Sequence, residues 1–345
     1  MSEATILLPP STNYRGVEQD RPPRWRGLLR WEAGLILVLI AVLIFGSVES
    51  STFLTGTTFF FTGLNMGEVA IMALPLLLIV MIGEIDLSVA AMLGLSGAVL
   101  GRLYQNGWPL WAAMLAALLV GALGGALNGL LVARLGLPSI AVTIGTLTLF
   151  RGVAEIVLPT PTTKLFPAQL TKIGVLPLQG TEIAYSTAIF AVLAVITGVV
   201  LHATPLGRSL VAIGLQPEAA QFAGIRVNRI RFGLYVASGL ICAFAGILFT
   251  LKNSSASYGA GQGLELTVVA IVLFGGVSIF GGRGSVLGVV LSVVIVGCLQ
   301  QALTQMRVQP EVQNIVTGTL LLISVIVPNA SSAWHRVRDR VRRRG

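Results

Sequence analysis

Of 345 residues, 54% are hydrophobic and only 11% are charged, against about 25% charged in an average soluble domain. A chain this apolar cannot cover itself with a soluble surface, so a soluble globular domain is excluded and an integral membrane protein is expected. The net charge of +9 follows the placement of basic residues around a bilayer and does not signal nucleic-acid binding.

Residues 1–30 form a polar tail carrying Arg15, Arg21, Arg24, Arg26 and Arg30. A cleavable signal peptide would set its apolar run close behind a short basic start. Here the first apolar run begins only near Trp31, with no small-residue cleavage pattern after it, so the tail is expected to stay and to lie in the cytoplasm. Apolar runs then recur at 31–48, 66–83, 87–103, 108–132, 138–158, 183–201, 232–251, 264–281, 284–305 and 311–328. They predict an all-α membrane protein of about ten transmembrane helices, a single domain over 31–330, followed by a basic tail at 331–345. Pro75 interrupts the second run, which neighbouring helices can tolerate. The stretch 53–65 reads as a further half-span or an interfacial segment. With the amino terminus inside, the inner segments collect Arg134, Arg208, Arg226, Arg229, Arg231 and Arg283, and the outer ones keep only Arg102, Lys164, Lys172, Lys252 and Arg307. Both termini and the 202–231 loop are therefore expected on the cytoplasmic side.

Between the second and third expected spans stands Gly83-Glu84-Ile85-Asp86-Leu87-Ser88-Val89. Asp86 suits a helix cap. The stretch also resembles the GxIDLSVG signature of ABC importer permeases of the ribose/galactoside/rhamnose class, with Ala90 in place of the usual glycine. Asn128-Gly129, then Arg134, Pro138, Thr143, Gly145 and Thr146, resemble the NG…P-x-I-x-T-x-G-T segment of that class.

In the 202–231 loop, Gln216 suits a helix start and Pro217 a first helical position, where a missing N–H has no partner to lose. Glu218 falls in the first turn, favoured by the helix dipole, and Gly224 gives a stop. A helix of roughly two turns follows, too short to cross a bilayer, which takes about 20 residues. Ala219, Ala220 and Ala223 would let another surface approach it closely. Glu218-Ala219-Ala220 with Gly224 resembles the EAA loop of ABC importer permeases, although Leu234-Tyr235-Val236 stands where the wider pattern closes on Ile-x-Leu-Pro. Finally, Gly275 through Ser285 resembles the GGxSxxGGxG turn of the same permeases. These motifs fall in family order across residues 83–285.

The resemblance implies an ABC importer permease fold in the cell (inner) membrane. It implies a second permease subunit, identical or related, two ATP-binding subunits and an external sugar-binding protein as partners. ATP would be bound by a separate chain, with no cofactor or metal in this one. The coupling helix for the ATPase would lie at Pro217, Glu218, Ala219, Ala220 and Gly224, and the inner-turn signature at Gly83, Asp86, Ser88, Gly281, Gly282 and Arg283. Glu84 and the stretches 134–139 and 143–152 are most similar to rhamnose permeases and next to autoinducer-importer permeases, so a rhamnose-like sugar is the expected cargo. Asn128, Thr143, Thr146, Gln300, Gln301 and Asn314 are plausible pathway liners, or else interhelical hydrogen bonds. Glu84 and Asp86 oppose Arg283 in charge at two short inner turns and could pair. The alternative leaves Arg283 with lipid phosphates and Asp86 capping its own helix. The outer loop 159–181, with Lys164 and Lys172, is expected to help dock the binding protein or to plug the bundle.

Other chemistries fare poorly. Gly94-Leu95-Ser96-Gly97 has the form of an intramembrane serine protease, but such a nucleophile needs a base within reach. The histidines, His202 and His335, both fall in expected cytoplasmic segments. No lysine follows glycines in the P-loop pattern, so ATP chemistry must come from another chain. A secondary transporter would place ionisable residues at mid-membrane; Glu68, Arg151 and Glu155 are the candidates, and Arg151 and Glu155, one turn apart, read as an intrahelical pair. Cys242 and Cys298 read as small packing residues.

Overall fold

The computed structural model describes residues 25–163 and 166–319, with residue 322. Both expected tails (apart from the few residues at 25–30), Lys164 and the end of the last expected span lie outside the described residues. In chain order the helices are α1 (Trp25–Glu49), α2 (Gly56–Met81), α3 (Val89–Gln105), α4 (Leu110–Gly129) and α5 (Ser139–Val157). They continue with α6 (Ala168–Val175), α7 (Tyr185–Ala203), α8 (Pro205–Leu215), α9 (Pro217–Phe222), α10 (Val227–Lys252), α11 (Leu264–Phe274) and α12 (Val286–Gln305). A π-helical turn, Leu130–Arg134, extends α4.

Among the described residues seven helices are long and apolar enough to cross a membrane: α1, α2, α4 with its extension, α5, α7, α10 and α12. Three of the ten expected spans are not among these seven. α3 has 17 residues, and α11 has 11 because Gly275 and Gly276, the latter at φ +82°, end it where 264–281 was read as continuous. The last expected span is helical over 310–319, beyond which little is described. The second span also starts earlier than expected. Most of the segment 53–65 forms the first turns of α2, where Thr62 Oγ1 donates to the Thr58 carbonyl and Gln305 of α12 donates to Thr58 Oγ1 at 2.8 Å. Phe53 fills the space above Gly46 of α1, where a Cβ would stand 2.4 Å from its ring.

α2 and α3 form the centre of the bundle, buried almost all round. A helix apolar on every side has to face protein or lipid throughout, and α5 and α7 take the second course, leaving most of their surface uncovered. α10 passes against α4 so closely that a Cβ on Gly125 would stand 2.2 Å from the Tyr235 carbonyl, and one on Gly239 the same distance from that of Gly121. Small residues allow this approach, and lipid leaves packing to drive it.

At the end of the bundle away from α8 and α9, β1 (Thr162–Thr163) pairs antiparallel with β2 (Ser255–Ala256). Two charge pairs lie toward this end. Lys252 Nζ lies 2.7 Å from Glu68 Oε2 and also donates to the Leu64 carbonyl. The expected Arg151–Glu155 pair does not form: Glu155 is exposed, and Arg151 reaches Glu265 of α11 at 3.8 Å. Arg151 also donates to the carbonyls of Tyr258 and Ala260. Those carbonyls belong to non-helical backbone packed into an apolar bundle, and it must find donors somewhere.

Candidate coupling site

α9 is a six-residue helix, Pro217–Phe222, with Pro217 at its start and Glu218 in its first turn. Gln216 precedes it in extended conformation but its side chain makes no capping bond, contrary to expectation. Its carbonyl instead accepts the Ala220 N–H at 3.0 Å. Gly224, at φ +84°, ends the segment as its type predicts. Ile225 N–H folds back to the Ala220 carbonyl and locks the turn. Ala220 is buried and anchors the helix, whereas Glu218, Ala219 and Gly224 are exposed. Phe222, which belongs to none of the sequence motifs, is 94% exposed. Its signal was there to find: a lone aromatic in a short loop of small and polar residues.

Two glycine turns, far apart in sequence, meet under α8. Gly282 N–H donates to the Met81 carbonyl at 2.8 Å. A Cβ on Gly281 would lie 2.8 Å from the Gly214 carbonyl and 2.9 Å from Gly83 N. Gly83, Gly281 and Gly282 all have positive φ, at +81°, +81° and +74°. Side chains here would both strain the backbone and force the three segments apart. The structure thus brings Gly83, Gly281 and Gly282 to the end of α8 that leads into α9.

Of the two arrangements left open at this junction, the pairing with Arg283 does not form. Glu84 Oε1 lies 3.3 Å from Arg231 Nε, with side chains 13% and 21% exposed. The guanidinium nitrogen is near the carboxylate but not aligned for a hydrogen bond, so the contact is Coulombic. Arg283 is exposed and takes no part. The reason is geometric: α10 begins directly after α9 and carries Arg231 past the α2–α3 turn, and Arg283 sits on the outer side of its own.

Asp86 is not the cap of α3. That position is held by Ser88, whose side chain makes no capping bond. Buried Asp86 accepts from Ser88 N–H at 2.9 Å and Ser88 Oγ at 2.6 Å through one oxygen, and from Ser238 Oγ of α10 at 3.1 Å through the other. Asn128 of α4 donates to Ser88 Oγ at 2.8 Å. Thr143 Oγ1 bonds the Ser139 and Ile85 carbonyls at 2.8 and 3.2 Å, and Thr146 Oγ1 reaches the Thr143 carbonyl at 3.4 Å. Asp86, Ser88, Asn128 and Ser238 therefore form one buried network at the α2–α3 turn, and Thr143 ties α5 to the same turn through the Ile85 carbonyl. Gln300 and Gln301 are half-buried on α12 and Asn314 is exposed; among the described residues no hydrogen bond joins them to that network.

Ser96, the serine of the protease-like motif, donates to the Leu93 and Ala243 carbonyls beneath Gly246 and serves a helix contact. Cys242 and Cys298 are buried free thiols. Among the described residues no three His, Cys, Asp or Glu side chains gather as metal ligands.

The chain is 32% identical over 315 residues to the autoinducer 2 import system permease protein LsrD of Klebsiella pneumoniae, covering 89% of this chain and 93% of that protein. It is 31% identical over 320 residues to the LsrD permease of Photorhabdus luminescens, covering 91% and 95%. The corresponding Escherichia coli protein matches at 31% over 321 residues, 91% of this chain and 96% of that one. These relatives are transport permeases and not enzymes. No solved structure matches the chain. Residues 59–325 match the family described as the permease component of the branched-chain amino acid transport system, and with relatives along nine-tenths of its length the chain belongs to that family of membrane permeases.

Proposed function

We propose that this chain is the translocating subunit of an ATP-driven importer in the cell membrane, with both termini and the 202–231 loop in the cytoplasm. Two such subunits, identical or closely related, would enclose the pathway. An external binding protein delivers the cargo, and two ATP-binding subunits grip α9 through Pro217, Glu218, Ala219, Ala220 and Gly224. The observation that carries this reading is α9 itself: a rigidly terminated helix of six residues, exposed between membrane-spanning helices and directly following α8, whose end packs on two glycine turns. The chain does no chemistry. It converts ATPase closure into alternating access, which works only through contacts that differ between the two states.

The cargo is a small, polyhydroxylated molecule of the sugar class. The relatives' names point to autoinducer 2, and the stretches 134–139 and 143–152 favour a rhamnose-like sugar. Asn128, Thr143 and Thr146, with Gln300 and Asn314, are the polar groups offered to it. The test is uptake into vesicles holding the permease, its ATP-binding subunits and the binding protein, with labelled autoinducer 2 and labelled rhamnose compared. ATP-dependent uptake of one of them is expected. Uptake driven by an ion gradient without ATP would make the chain a secondary transporter and overturn the reading.

A further inference from the structure

The glycine turn after α11 presents Phe280, 82% exposed, beside a segment that presents Phe222, 94% exposed. Neither ring sits on slack backbone. In the turn, Ser278 N–H donates to the Arg283 carbonyl, Gly281 N–H to the Ser278 carbonyl and Phe280 N–H to Ser278 Oγ, at 3.0, 2.9 and 3.3 Å. α9 is held by the bonds from Ala220 to Gln216 and from Ile225 to Ala220, each 3.0 Å. The turn touches the helix that leads into α9: a Cβ on Gly282 would lie 2.7 Å from the side chain of Leu215, itself 58% exposed, at the end of α8. Phe280 therefore stands two residues before the contact with Leu215, and Phe222 seven residues after Leu215, all three exposed.

We propose that the turn 278–283 is a second docking element for the ATP-hydrolysing subunit, with Phe280 and Phe222 as twin aromatic anchors. The proposal rests on α9 being the coupling helix and extends that contact to a segment about 60 residues away in sequence. Three features select this occupant. The turn packs on Gly214 and Leu215, directly before α9. The same segments carry exposed Gln216 and Gln221 among the apolar residues, and exposed Arg208, Arg226 and Arg283 flank them in sequence. An apolar centre within a polar rim is the anatomy of a protein interface, and aromatic side chains are the usual anchors there. A lipid-facing surface in this chain looks different: α7 leaves Val192, Val195 and Val199 uncovered without a charge among them. The basic rim calls for an acidic border around the groove of the partner. Gly282 is bonded to the Met81 carbonyl, so a push on Phe280 reaches the α2–α3 turn without passing through α9.

The experiment measures affinity of the ATP-binding subunit for full-length permease in lipid nanodiscs, with Phe222→Ala and Phe280→Ala compared. Each substitution is expected to weaken binding by about tenfold or more, as truncation of an interface anchor does. If Phe222→Ala weakens binding and Phe280→Ala does not, the turn is no docking element while the coupling helix stands. If neither does, the coupling reading falls with it. Should Phe280→Ala fail to insert, Phe280→Cys carrying an environment-sensitive fluorophore serves instead. Loss of solvent exposure on adding the ATP-binding subunit supports the proposal. Quenching by brominated lipid with no response to that subunit overturns it and makes Phe280 a membrane contact.

Discussion

Glu84 and Arg231 are 3.3 Å apart and partly buried, a geometry in which desolvation offsets much of the attraction. The pair therefore contributes less to stability than to selecting one arrangement of the α2–α3 turn against the start of α10. Arg231→Glu sets two carboxylates together and should cut ATP-driven uptake about tenfold, the scale of one unfavourable contact of ~1.4 kcal/mol. Glu84→Arg combined with Arg231→Glu should recover part of it in a well-expressed double variant. The Lys252–Glu68 pair is more deeply buried, with side chains 14% and 3% exposed. Removing one partner strands the other, at a cost of about 3–5 kcal/mol. Lys252→Met should thus lower the thermal midpoint of the purified permease strongly, and Glu68→Gln added to it should restore much of the loss. Arg151 teaches the same lesson. A cation in an apolar bundle is claimed by whatever acceptors the fold strands near it, here two loop carbonyls and Glu265, and not by the acid one turn away.

For the elements, α9 and the α4–α10 contact carry separable tests. Gly224→Val puts a β-branched residue at φ +84°, a conformation costing such residues about 1–2 kcal/mol or more, and so disturbs the exit from α9. Together with Glu218→Lys it should leave permease inserted at normal levels but lower stimulated ATPase activity and uptake in reconstituted vesicles. Wild-type rates from both variants would mean α9 is not the ATPase contact. Gly239→Leu should behave oppositely. Its side chain has no room against the Gly121 carbonyl, and overpacking costs about 1–3 kcal/mol or more. Folded yield should fall in detergent whether or not the ATP-binding subunit is present.

Across the whole molecule, the two ends of the bundle are built for different contacts. At one end the glycine turns, α8 and α9 meet; at the other, β1 and β2 tie the segment 159–181 to the stretch after α10. If that end meets the loaded binding protein, Lys164→Glu with Lys172→Glu should weaken their association, more at low salt than at high salt. Unchanged affinity at low salt would leave the segment as a plug over the bundle.

Local composition by itself determined the class, the bounds of α3, α5, α7 and α12 to within two residues, and the short helix from Pro217 with its stop at Gly224. Each of these depends on hydropathy summed along the chain or on the φ preference of single residues, and both are local properties. The glycines of the two turns were legible as unusual; their meeting under Gly214 was not. Tertiary structure alone decided that 53–65 joins α2, that Glu84 takes Arg231 and not Arg283, and that Asp86 binds Ser238 across the bundle instead of capping α3. Helices apolar on every side carry no periodic stripe to say which face meets which neighbour, so their register, and with it the partner of every buried polar group, is set by packing.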